Sequence, residues 1–128
     1  MNDLPPNLPT APMPRPPAQV LPYFETLGLE LTVTFLLTFG GADLYLAADP
    51  KGKSEVEALI GAANLAALAA RRNAPKSVMQ SRVRLAKRWL TEVLNWQGYS
   101  NAAIARKLRI TTNTVGRYLA KVYSEGRG

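Results

Sequence analysis

The stretch NAAIARKLRITTNTVGRYLAKV, residues 101–122, decides how the functional part of this chain should fold. Ile104, Leu108, Ile110, Val115 and Leu119 recur at helical spacing on either side of a short polar break, with Ala105 as a small residue among them. Two short helices that cross steeply need one inward apolar residue per turn and a small residue where the backbones nearly touch. Ser100 ahead of the first segment, and Thr111 or Thr112 ahead of the second, are good N-caps, because their hydroxyls accept orphan backbone N–H bonds. The spacing therefore predicts two capped helices joined by a three-residue break, the pattern of a helix-turn-helix whose ligand is double-stranded DNA.

Charge is distributed in keeping with that ligand. The net charge is +7, but residues 1–70 carry 3 Lys+Arg against 7 Asp+Glu, whereas residues 71–128 carry 13 against 2. A basic half of this density suits a polyanionic partner. The chain has no cysteine and no histidine, which removes disulfides, thiolate chemistry, imidazole bases and most transition-metal sites. Only Glu92 and Glu125 are acidic in the basic half, so no catalytic residues, metal, cofactor or small-molecule ligand are expected, and the chain does not read as an enzyme. Asp3 and several prolines stand where a signal peptide would need a basic patch and an apolar core. The longest apolar run, residues 31–39, falls well short of the roughly 20 residues that cross a bilayer. It is expected in a core, and no membrane partner is expected.

The chain divides into four parts. Residues 1–22 hold eight of the ten prolines and read as a disordered tail with polyproline II character. Residues 23–75 read as a dimerisation region. Within it, one helix is expected from Tyr23 to Phe39, stopped by Gly40 and Gly41. Residues 43–47, DLYLA, form a lone short strand that must find a partner, attractively in a second copy of the chain. Ser54 and Glu57 make a capping box for a second helix reaching about Arg72. Its many alanines would admit a close helix from another copy, so Leu44, Tyr45, Leu46, Leu59, Ala62 and Ala66 are the expected dimer contacts. Residues 76–81 read as a linker or a second short strand. Residues 82–128 form the helix-turn-helix domain, with a first helix over 82–95 whose inner face is Leu85, Trp89, Leu90, Val93 and Leu94. The expected fold is mainly α: a helical dimerisation region with one or two short β-strands, then a C-terminal three-helix domain.

The helix ending LTFGG, the segment ADLYLA, the run EALIGAANLAALAAR and the motif SNAAIARKLRITTNTVGRYL together resemble the Mor family of phage transcription activators. The likeness spans most of residues 23–122. It implies a homodimer in the bacterial cytoplasm, at the nucleoid, which binds an inverted repeat and helps RNA polymerase at a promoter. The shorter segment SNAAIARKLRITTNTVGRYLAKVY is also similar to the C-terminal DNA-binding domains of LuxR-type regulators. Arg109 occupies the turn position where a glycine is commonest. The same basic motif and pairing would also serve a structural or assembly protein, such as a packaging recognition subunit or a nucleoid-associated protein.

If the second helix of the motif enters the major groove, Thr111, Thr112, Asn113, Gly116 and Arg117 occupy its reading face. Asn113 matches adenine, and Arg117 matches guanine or grips a phosphate. Gly116 would let the helix come close. Tyr99, Ser100, Asn101, Lys107 and Lys121 flank the motif as phosphate contacts, with Arg82, Arg84, Lys87 and Arg88 as a second basic strip.

Overall fold

The computed structural model describes residues 12–44, 46, 54–77, 79 and 82–124, with the side chains of 121–124 excepted. The described residues are mainly helical: α1 Leu21–Leu27, α2 Leu29–Phe39, α3 Glu55–Ile60, α4 Ala62–Asn73, α5 Lys87–Trp96, α6 Asn101–Leu108 and α7 Thr112–Ser124. They fall into two compact units, one within residues 16–86 and one made of residues 87–124 together with 12–15. No helix among the described residues is long and apolar enough to cross a membrane.

In the unit of residues 16–86, α1 packs on α2 and α4, and α3 packs on α2 and α4. Phe35 and Leu36 of α2 and Leu65, Leu68 and Ala69 of α4 have almost no exposed surface. The Tyr23 ring stacks on Phe35 at 5.1 Å, and Phe35 meets Phe39 at 5.3 Å. Aromatic pairs at these separations add about 0.5–1.5 kcal/mol beyond their buried area. Thr32, buried among them, donates its hydroxyl hydrogen to the Tyr23 carbonyl at 3.1 Å. The folded part begins before Tyr23: Val20, assigned to the proline-rich tail, is 1% exposed, and Pro22 sits in the first turn of α1, where its missing N–H costs nothing.

Two expected long helices are each broken once. The helix expected over 23–39 divides at Gly28 (φ 80°), and the helix from Ser54 to about Arg72 divides at Gly61 (φ 88°). Both glycines work alike. The Gly28 amide closes α1 on the Phe24 carbonyl and its own carbonyl opens α2 at Thr32; Gly61 links Glu57 to Leu65 in the same way. A positive φ with extended ψ is open in practice to glycine alone. Ser54 does cap α3, accepting the Glu57 amide at 3.0 Å.

Among the described residues the strand expected over 43–47 appears only as a single bridge at its first residue, with the partner inside the chain. Asp43 bridges antiparallel to Arg82, with Gly41 N–H to Val83 O at 2.7 Å and Val83 N–H to Ala42 O at 2.9 Å. Arg72 donates to the Leu44 carbonyl. A second copy is therefore not needed to pair the start of this segment. Leu46, expected at a dimer contact, is 4% exposed in its own unit; Leu44, Leu59 and Ala66 are half-buried, Ala62 is exposed, and Tyr45 lies outside the described residues. With Arg82 in the bridge and Val83 bonded to Gly41 and Ala42, residues 82–86 belong to no helix, and α5 starts at Lys87 rather than Arg82. Ala86 at φ 59° marks the change of direction. Val83 is buried in the 16–86 unit, which places the division after Ala86 instead of after residue 81.

Gly40 is needed for space, since a Cβ there would lie 2.5 Å from the Leu36 carbonyl oxygen and 2.6 Å from Leu85 Cδ1. Gly40→Ala is expected to cost about 1–3 kcal/mol, read as a lower urea midpoint; an unchanged midpoint contradicts the close approach. Burial raises the Tyr23 phenol above its ordinary value, while the charge and hydrogen bond of Arg72 pull it part of the way back. The folded chain thus holds this proton more tightly than the unfolded chain. The associated stability is complete below the ordinary tyrosine value of about 10 and is lost as pH rises through the higher folded value. Urea midpoints should fall at the alkaline end of such a series, and less steeply in Tyr23→Phe; an equally steep fall in the variant contradicts the assignment.

Candidate nucleic-acid interface

The unit of α5, α6 and α7 is built on an apolar core that its own spacing lays down. Leu90, Val93 and Leu94 of α5, Ile104 and Leu108 of α6, and Val115 and Leu119 of α7 are buried, with Ala105 among them; Ile110, in the turn, is half-buried. All three helices pack on one another. Trp89 is 4% exposed and donates its indole N–H to the Pro14 carbonyl at 3.1 Å, so the proline-rich segment meets this unit at a defined point. Thr91 is buried with its hydroxyl turned back to the Lys87 carbonyl.

Both caps form. Ser100 Oγ accepts the Ala103 amide at 3.1 Å, and Thr111 Oγ1, rather than Thr112, accepts the Thr114 amide at 3.1 Å. Between the helices Arg109 takes the left-handed conformation (φ 57°, ψ 45°), with the Arg109 and Ile110 amides both directed at the Ala105 carbonyl. An arginine in that conformation costs about 1–2 kcal/mol that a glycine would not, and the two bonds offset it.

Burial of Val115 and Leu119 fixes how α7 is rotated. At about 100° per residue, Asn113 and Arg117 lie on the side opposite Val115. Thr111, Thr112, Asn113 and Arg117 are all exposed, on the first two turns of the helix. Gly116 flanks them, and a Cβ built on it meets nothing within 4 Å. Of the five expected reading residues, Asn113 and Arg117 lie opposite Val115, Thr112 and Gly116 lie on one flank of that face, and Thr111, which caps α7, precedes it on the other. Thr114, which the sequence reading passed over, belongs to the same site: its hydroxyl lies 3.0 Å from Thr111 Oγ1 and receives Arg117 Nη2 at 3.3 Å. The three-residue spacing of 111, 114 and 117 was the available signal, since side chains three apart are neighbours on a helix.

The expected phosphate contacts divide. Tyr99, Ser100 and Asn101 stand together at the start of α6, and Lys107 places its ammonium 5.0 Å from the centre of the Tyr99 ring. The Lys121 side chain lies outside the described residues. The second basic strip is not one helix face. Arg82 and Arg84 are exposed on the extended segment of the other unit, where Arg82 faces Asp43 at 3.8 Å, while Lys87 and Arg88 begin α5. Arg88 pairs with the nearly buried Glu92 at 3.4 Å. Among the described residues no group of three or more acidic side chains could hold a metal ion. No family model, no curated protein and no solved structure matches this chain.

With open space at its Cβ, Gly116 is a helix-interior glycine that alanine can replace. Gly116→Ala should stabilise this unit by up to about 1 kcal/mol, seen as a higher urea midpoint; a lower one would mean that the position is packed.

Proposed function

We propose that this chain is a sequence-specific DNA-binding transcriptional regulator that reads the major groove with the N-terminal turns of α7. The observation that carries the reading is the exposed row of Asn113 and Arg117 opposite a fully buried Val115, with Thr112 and the space at Gly116 beside it. Such a row combines donors and acceptors that match base edges with the short side chains a close approach needs. α6 serves as the supporting helix of a helix-turn-helix. Ser100, Asn101, Tyr99 and Lys107 flank the reading face where such motifs grip phosphate. The excess of basic residues over 71–128 supplies the long-range attraction.

The resemblance to the Mor activators extends this proposal to a homodimer that acts at promoters with RNA polymerase in the bacterial cytoplasm. Support for pairing comes from that resemblance and from the exposed alanines of α4, Ala62, Ala63, Ala67 and Ala70. The strand no longer argues for it. Two units about a two-fold axis would meet an inverted repeat with half-sites spaced by multiples of roughly 34 Å.

The test is selection of bound fragments from random duplexes by the full chain at physiological salt. An enriched inverted repeat is expected; uniform weak retention of all fragments would identify a nucleoid-type or assembly protein instead. With the recovered duplex, Asn113→Ala should relax the preferred sequence, by about 1–3 kcal/mol at one base pair. Lys107→Ala should weaken all duplexes alike and reduce the salt slope by about one. Equal effects of both variants on every duplex would contradict this division of roles.

A further inference from the structure

Residues 111, 114 and 117 form a row of hydrogen bonds along one flank of α7. Arg117 Nη2 donates to Thr114 Oγ1 at 3.3 Å, Thr114 Oγ1 lies 3.0 Å from Thr111 Oγ1, and Thr111 Oγ1 also accepts the Thr114 amide at 3.1 Å. A guanidinium can only donate, and a hydroxyl has a single hydrogen. Arg117 therefore uses the Thr114 oxygen as an acceptor, and either hydroxyl can donate in the contact between Thr114 and Thr111. The guanidinium N–H groups that Thr114 does not take are donors alone, and they are what the end of the row offers to its surroundings.

We propose that Thr114 is a positioning residue that aims Arg117 at the paired acceptors O6 and N7 of a guanine; this rests on the DNA reading proposed above. Adenine places an amino donor beside its N7, so a surface of donors discriminates against it. Arg117 is exposed, and without Thr114 its long side chain would sample many rotamers before each encounter. Thr114 is half-buried on α7, and its short side chain has a single rotatable χ angle. Phosphate oxygens offer the same acceptor chemistry. The two sources differ in whether changing one base matters.

The test compares Thr114→Val, which keeps shape and loses the hydroxyl, with Thr114→Ser, which keeps the hydroxyl. Nitrogen-15 relaxation of the Arg117 Nε–H in the free full chain should show an ordered side chain in wild type and Thr114→Ser, and a mobile one in Thr114→Val. Competition binding then uses the selected duplex and versions with a single guanine replaced by adenine or 7-deazaguanine. Wild type and Thr114→Ser should discriminate by about tenfold. Thr114→Val should fall toward the level of Arg117→Ala, with an unchanged salt slope. If Thr114→Val instead weakens every duplex equally and keeps its discrimination, Arg117 is on a phosphate and the assignment is overturned. A wild type without preference for any duplex overturns the DNA reading and this assignment with it, whereas undiminished discrimination in Thr114→Val overturns this assignment alone.

Discussion

Burial of Val115 is the constraint on which the candidate site depends. A helix can be rolled about its axis, and only its buried side chains choose the angle. Val115 has no exposed surface and Leu119, one turn on, has little, so α7 is held with residues 113 and 117 outward. A polar residue at 115 would remove that choice before it touched any ligand. The Thr111 cap acts with it: accepting the Thr114 amide, it starts the helix at a defined residue and sets where along the axis the outward row begins.

The two units of the chain differ in how their shape is secured. In residues 87–124 the work is local, three short helices with caps at Ser100 and Thr111 and a left-handed residue between the last two. In residues 16–86 distant segments have to meet. Gly41 and Ala42 bond to Val83, Arg72 reaches the Leu44 carbonyl, and Arg71 meets Glu25 at 2.9 Å. That last pair is exposed, and such pairs contribute at most about 1 kcal/mol. The backbone pairing and the ring contacts of Tyr23, Phe35 and Phe39 hold this unit more firmly.

Legibility in the sequence followed the range of the interactions. The core of α6 and α7, both caps and the exposure of Asn113 and Arg117 could be read because each depends on residues three or four apart. The breaks at Gly28 and Gly61 could not, because apolar periodicity runs on through a single glycine and gives no sign of its φ. The partner of Asp43 was missed for a different reason. Arg82 lies far along the chain, and a pattern of alternating residues names a strand without naming its neighbour. That miss carried a consequence for function, since an orphan strand had argued for a second copy. The polar row showed the opposite case: Thr111 and Arg117 were picked for their chemistry, and Thr114 between them was not, because its part appears only once the helix brings the hydroxyls together.

In the proposed complex α7 meets DNA with the face opposite Val115. Amide chemical-shift mapping of the full chain, titrated with the selected duplex, tests it most directly. The largest changes are expected at residues 111–117, with a second group at 99–101. Changes confined to residues 16–86, or spread evenly over the chain, would contradict it.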